Sequence, residues 1–290
     1  MVLVATPIGH LGDITARALE ALRQADAVYA EDTRHTLKLF RHYGIERPLF
    51  SCHEHNEAAR APEVVARVRA GETVALVSDA GTPAVSDPGR RIVAAVVEAG
   101  LPVTICPGPS AALAALAVSG FPPVPFAFLG FPPRKAAERQ ALLRAWRERG
   151  ATLVLFESPL RLAGLFEDVA AVFGGDHPVV VARELTKVHE EILRGAAAEL
   201  SARFRAAPAR GECTVVVAPA TVGASAGRRL GEREPAQAAA RAWKAELACR
   251  LGRGEPPAQA AAEVARAFGL RRADVYREAV RLRKSSPEKR

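Results

Sequence analysis

Short runs of apolar residues alternate along this chain with longer segments in which apolar positions recur every three or four residues. In the first part, Val2 to Ala5, Ala27 to Ala30, Leu49 to Ser51, Thr73 to Val77 and Val103 to Cys106 read as strands, with helical runs between them. Strand and helix in alternation predict a largely parallel sheet. In the first helix Asp13 is placed to act as the cap, and Ile14, Ala18, Leu22 and Ala25 line one face. A helix from Ser110 to Ser119 ends at Gly120, and Phe121-Pro122-Pro123-Val124-Pro125 can continue neither regular structure. That stretch reads as a stiff connector between domains.

The alternation then resumes. Strands are expected at Phe126 to Leu129, Thr152 to Phe156, Val179 to Ala182 and Thr214 to Ala218, with helices at Lys135 to Arg149 and Leu160 to Phe173. They make a second, smaller α/β unit. After Pro219 a linker is expected from Thr221 to Glu234, followed by helices near Pro235 to Leu251, Pro256 to Phe268 and Ala273 to Arg283. Ala261, Val264, Ala265 and Phe268 share a stripe, and Gly269-Leu270 makes a short joint. With Arg277, Arg281, Arg283 and Lys284 on the last helix, the pair resembles a helix-turn-helix unit, a pattern any small helical bundle shares. The division read from the chain is 1–120, 121–222 and 223–290.

Composition narrows the class. The 290 residues are 49% apolar without a membrane-length apolar stretch, and Met1 to Val4 enters a strand directly, so a soluble cytoplasmic protein with no membrane partner is expected. Cys52, Cys106, Cys213 and Cys249 are scattered and form no C-x-x-C pair, which argues against a zinc knuckle or a disulfide framework. The net charge of +8 is localised: from Arg228 onward there are 16 Lys+Arg against 8 Asp+Glu, leaving 24 against 24 before it. A basic segment on a neutral body suits a polyanion such as nucleic acid, the plainer reading being a solvated extension.

Chemistry is concentrated where strands end. Val2 to Ala5 leads into Thr6-Pro7-Ile8-Gly9, Val74 to Val77 into Ser78-Asp79-Ala80-Gly81-Thr82-Pro83, and Val103 to Ile105 into Pro107-Gly108-Pro109-Ser110-Ala111. Open α/β sheets bind ligands beyond the carboxyl ends of their strands, and glycine lets backbone approach a small molecule. Neither a dinucleotide fingerprint after a strand nor a P-loop occurs. The Ser78 to Gly89 loop offers carboxylates and carbonyls to a sulfonium or amine, and no lysine to a phosphate.

These loops also form an ordered set with Glu31-Asp32-Thr33-Arg34-His35-Thr36, His53-Glu54-His55-Asn56-Glu57, Phe156-Glu157-Ser158-Pro159 with Arg161-Leu162, and Arg183-Glu184-Leu185-Thr186-Lys187. Over roughly three quarters of the chain the set resembles the ribosomal small-subunit RNA (cytidine 2'-O)-methyltransferases, a branch of the tetrapyrrole methylase superfamily. The resemblance implies two α/β domains of tetrapyrrole-methylase type with a cleft between them, plus a small C-terminal helical domain. It also implies a homodimer, S-adenosylmethionine in the cleft, and 16S ribosomal RNA or the small ribosomal subunit as partner. His10 stands where the family usually has asparagine.

Carried over by position, cofactor contacts fall to Pro7, Asp79, Ala80, Gly81, Val85, Ser110, Ala111, Phe156 and Leu185. A ribose hydroxyl needs a group that accepts its proton or orients it, and Asp32, His35 and Glu54 are the candidates. Arg34, Asn56, Lys135, Arg183 and Lys187 are candidates for contacting RNA, against a plainer reading as caps and surface ion pairs. No metal is expected, since His53 and His55 lack a spaced third ligand. Two other readings remain open: methylation of a small macrocycle in the same cleft, and a non-catalytic nucleic-acid-binding protein.

Overall fold

The computed structural model describes residues 1–220, 243, 246–248, 250–251, 255–268 and 272–285. Strands β1 (Val2–Val4), β2 (Ala27–Ala30), β3 (Leu49–Ser51), β4 (Val74–Val77) and β5 (Thr104–Cys106) form one sheet in the order β3-β2-β4-β1-β5. Every pairing in it is parallel, as the alternation predicts. The central strands are apolar throughout because both their faces are covered. Val28, Ala30, Ala75 and Val77 face Leu22 of α1 (Ala16–Gln24) and Leu39 and Phe40 of α2 (Thr33–Tyr43). Their neighbours Ala27, Tyr29, Val74 and Leu76 face Val64 of α3 (Glu57–Arg69) and Ile92 and Val96 of α4 (Arg90–Glu98).

The first helix begins later than the cap reading places it. Leu11–Asp13 form a single 3-10 turn, and the Thr15 hydroxyl, not Asp13, accepts the Ala18 N–H at 3.1 Å. The buried face of Ile14, Ala18, Leu22 and Ala25 is as expected.

Helix α5 (Ala111–Ser119) is capped by Ser110 and stops at Gly120, whose φ of +78° suits a residue without a Cβ. Its inner residues Ala112, Ala115 and Leu116 pack on Val154, Val180 and Val216 of a second sheet, which therefore has core on the near side of the proline-rich connector. That sheet is β6-β7-β10-β8-β9, from β6 (Phe126–Phe128), β7 (Thr152–Glu157), β8 (Pro178–Arg183), β9 (Glu191–Ala196) and β10 (Cys213–Val217). Only β6 and β7 run parallel; the remaining pairings are antiparallel. Its far face is covered by α6 (Ala136–Arg147), α7 (Leu162–Phe173) and α8 (Ala197–Ala206) through Leu143, Leu165, Phe166, Leu200 and Phe204. Burying one such side chain is worth about 1.5–3 kcal/mol.

The chain separates into compact units Met1–Ala224 and Ser225–Arg290. In the second, the helices Pro257–Phe268 and Arg272–Ser285 pack through Ala261, Val264, Ala265, Val275 and Ala279, with Leu247 in the same cluster. The expected linker at Thr221 to Glu234, much of the helix at Pro235 to Leu251 and the Gly269-Leu270 joint lie outside the described residues. Among the described residues no helix is long and apolar enough to cross a membrane.

Candidate active site

Strands β4, β1 and β5 are neighbours, so the loops that follow them emerge side by side and are tied to one another. Thr6 and Gly81 exchange backbone hydrogen bonds of 2.9 and 3.1 Å, and the Thr82 hydroxyl donates to the Pro109 carbonyl at 3.4 Å. The far end of the long loop is held by a buried carboxylate: Glu57 Oε2 accepts the Gly89 N–H at 2.8 Å. Gly89 has φ +116°, and a Cβ there would stand 2.7 Å from Leu76 Cδ2. Only glycine fits.

The second lobe closes against these loops. A Cβ on Gly9 would lie 2.5 Å from Lys187 Cγ, and the His10 N–H donates to Thr186 Oγ1 at 3.0 Å. His10 Nδ1 accepts the Gly12 N–H at 3.1 Å, so the imidazole fills the acceptor role open to an asparagine at that position. Among the described residues four non-glycine positions have positive φ: Ala84 and Ser86 in the long loop, and Glu184 and Thr186 in the loop after β8. Such conformations cost about 1–3 kcal/mol each, and here both strained loops border one cavity.

That cavity has a volume of about 450 Å³, within the range of small-molecule sites. Its first wall is Ile8, Glu31, the long loop at Asp79 to Thr82 and Val85 to Asp87, and Ser110 to Ala112; its second is Phe131, Phe156 to Pro159, Ala182, Leu185 and Gly211 to Thr214. Every residue expected to touch a cofactor lines it except Pro7, which sits between the Thr6 bridge and Ile8. Asp79 Oδ1 accepts the Asp32 N–H at 3.0 Å, tying the loop to the end of β2.

The lining carries Glu31, Asp79, Asp87, Glu157 and Glu212 and no lysine, arginine or histidine. Burial, then the charges of Glu31 and Asp79, push Asp87 up to about 6 against the pull of the Ser78 hydroxyl. Glu31 moves the same way, through burial and then Asp79. Glu157 is raised by burial although Arg161 Nη2 lies 3.0 Å from its Oε2. Such a set of acceptors, with Ile8, Val85, Phe131, Phe156 and Leu185 beside it, fits a ligand with a positive centre and an apolar ring.

The residues expected to do chemistry or meet RNA lie outside the lining. Asp32 caps α2, accepts the Arg34 N–H at 2.8 Å and pairs with the Arg34 guanidinium at 2.7 Å, which holds its carboxyl well below the usual range. His35 and Glu54 are exposed, Glu54 in the turn before α3. Asn56 is taken up in that turn, where Oδ1 accepts the His53 N–H at 2.8 Å and Nδ2 donates to the Ser51 carbonyl. Lys135 is exposed and pairs with Glu138, Arg183 pairs with Glu191, and Lys187 bridges Glu184 and Glu212 at the edge of the lining. The sequence reading omitted Glu31, Asp87, Glu157 and Phe131 from its candidates. The available signal is their position: Glu31 directly follows β2, Glu157 closes β7, and Asp87 stands in the long loop.

Comparison with known proteins agrees with this geometry. Residues 1–201 match the family model described as Tetrapyrrole (Corrin/Porphyrin) Methylases. A Ribosomal RNA small subunit methyltransferase I of Micromonospora olivasterospora is 52% identical over 217 residues, 74% of this chain and 69% of that protein. One of Mesorhizobium japonicum is 42% identical across 99% of this chain and 93% of its own length. Among solved structures, a uroporphyrin-III-C-methyltransferase from Thermus thermophilus superposes with a TM-score of 0.52 at 22% identity, covering 76% of this chain and 94% of that one. A diphthine synthase reaches 0.56 at 19% identity, covering 75% and 90%. These last two share the fold. With the ordered motifs, the cavity they line and a relative matched over nearly its whole length, the chain belongs to the tetrapyrrole methylase family, in its ribosomal RNA small subunit methyltransferase I branch.

Proposed function

We propose that this chain methylates the 2'-hydroxyl of a cytidine ribose in the decoding region of 16S ribosomal RNA, with S-adenosylmethionine as donor. The observation that carries the reading is a cavity between the two lobes that is lined by carboxylates without a basic side chain and borders every motif loop that names a cofactor contact. Bound there, S-adenosylmethionine supplies an electrophilic methyl group on a positively charged sulfur. Asp79, Ala80, Gly81, Val85, Ser110 and Ala111 hold it from the first lobe, with Pro7 just before the lining residue Ile8, and Phe156 and Leu185 from the second. Fixed loops make positioning the main contribution of the protein, because displacement at an activated carbon needs chiefly alignment.

The ribose proton is taken by a side chain outside the lining, with His35, Glu54 and Asp32 the candidates. His35 and Glu54 are exposed, and Asp32, paired with Arg34, is held below the usual carboxylate range and is a weaker base than an ordinary carboxylate. Arg34, Lys135, Arg183 and Lys187 steer phosphates, with Asn56 shaping the turn that carries Glu54. The reading keeps the division into 1–120, 121–222 and a basic 223–290, a cytoplasmic location and a homodimer. Helix α5 supports the dimer: it is apolar up to Ser119, yet Leu113 is 55% exposed.

The test is methyl incorporation from S-adenosylmethionine into small-subunit particles from a strain lacking the enzyme. Nucleoside analysis should yield 2'-O-methylcytidine. A different methylated nucleoside, or none, overturns the substrate assignment.

A further inference from the structure

We infer that Phe131 is the platform on which the target nucleobase stacks while its ribose stands at the cavity, which makes it a specificity-determining residue; the inference rests on the RNA reading above. Phe131 lines the cavity and is 63% exposed, so it stands at the mouth. Its ring meets Phe156 edge-on at 5.7 Å, and Phe156 in turn meets Phe128 at 4.8 Å. The aromatic row thus runs from β6 and β7 out to solvent.

What distinguishes Phe131 from an ordinary exposed apolar residue is the fixed backbone beneath it. Buried Arg139, paired with Asp168, donates to the Pro133 and Arg134 carbonyls at 3.2 and 3.1 Å. Arg161 donates to the Pro132 carbonyl at 3.0 Å. Two guanidiniums are therefore spent on holding a four-residue stretch, Phe131 to Arg134, that presents one bare ring. A pre-positioned ring loses little freedom on binding.

The flanking charge selects the occupant. Arg134 and Lys135 are exposed, two prolines beyond the ring in sequence, and the loop carries no acid, although Lys135 reaches Glu138 on the next turn. Leu160, 79% exposed, adds apolar surface on the segment that Arg161 ties to this loop. An aromatic face beside cations is how single-stranded RNA is held, with bases stacked and phosphates neutralised.

The experiment uses the full chain, unmodified small-subunit particles and saturating S-adenosylmethionine. Phe131→Ala should lower kcat/KM for the particle by about tenfold or more, while calorimetric affinity for S-adenosylmethionine shifts by less than about twofold. Phe131→Tyr should recover most of the loss, and the fluorescence of Phe131→Trp should be quenched when particles are added. Affinity for S-adenosylmethionine falling in step with kcat/KM would overturn the inference, because the ring would then cover the cofactor. An alanine variant as active as wild type, in a preparation where wild type methylates the particle, overturns it alone. A wild type that methylates no particle overturns the RNA reading as well.

Discussion

The cavity lining carries Glu31, Asp79, Asp87, Glu157 and Glu212 and no basic side chain, Arg161 and Lys187 reaching the last two from outside it, whereas the loop at its lip ends in Arg134 and Lys135 with no acid. The interior suits a compact cation and repels a phosphate; the lip does the reverse. Two ligands of opposite charge can then meet without competing for one surface, and the carboxylates discourage the RNA backbone from filling the cofactor's place.

The contrast breaks most severely if the lip loses its anchor. Arg139→Ala leaves Asp168 as a buried charge without its partner, so we expect a loss of about 3–5 kcal/mol in chemical denaturation, together with weaker particle binding. Stability unchanged within error would show that the pair does not hold the loop. Next in size, Asp79→Ala should weaken S-adenosylmethionine by roughly tenfold to a hundredfold in calorimetry, the range expected when a charged acceptor is removed. Particle binding should be spared, and parallel losses would mean that the two surfaces are not separate.

A smaller effect is expected from the basic tail. Removing residues from Arg228 onward deletes 16 Lys+Arg and 8 Asp+Glu, which should flatten the salt dependence of RNA binding and leave cofactor affinity in place. An unchanged salt slope would assign steering to the lip alone.

The finest probe is Asp87. Its carboxyl is raised above the unfolded range to about 6, so the native state holds the proton more tightly. Stability of the cofactor-free protein should therefore fall as pH rises through about 6, while affinity for a sulfonium should rise over the same window as the carboxylate ionises. Asp87→Asn should remove both steps, in melting curves and in titrations on either side of that pH. A step that survives in the variant belongs to another group, with Glu31 the first alternative.

Much of this architecture is local. Ala27 to Ala30 and Val74 to Val77 are readable as strands because both faces are covered and no position is left polar, and the loops after β1, β4 and β5 announce themselves through glycine and proline. By contrast, β9 and α8 carry little signal in the sequence. Strand β9 is an edge strand whose Glu191, Arg194 and Gly195 interrupt any apolar run, and α8 shows only Ala197, Leu200 and Phe204 at helical spacing. The antiparallel order of the second sheet was equally out of reach, since pairing depends on where each connection returns.

The site divides along the same line. Residue order alone marked the loops that border the cavity, because a loop that touches a ligand needs particular residue types at short spacing. Only the tertiary structure decided which side chains share that space. Folding turned Glu31, Asp87 and Glu157 inward while spending Asp32 and Asn56 on a cap and a turn. Burial and neighbouring charge, which set what a carboxylate can do, arise from segments far apart in the chain.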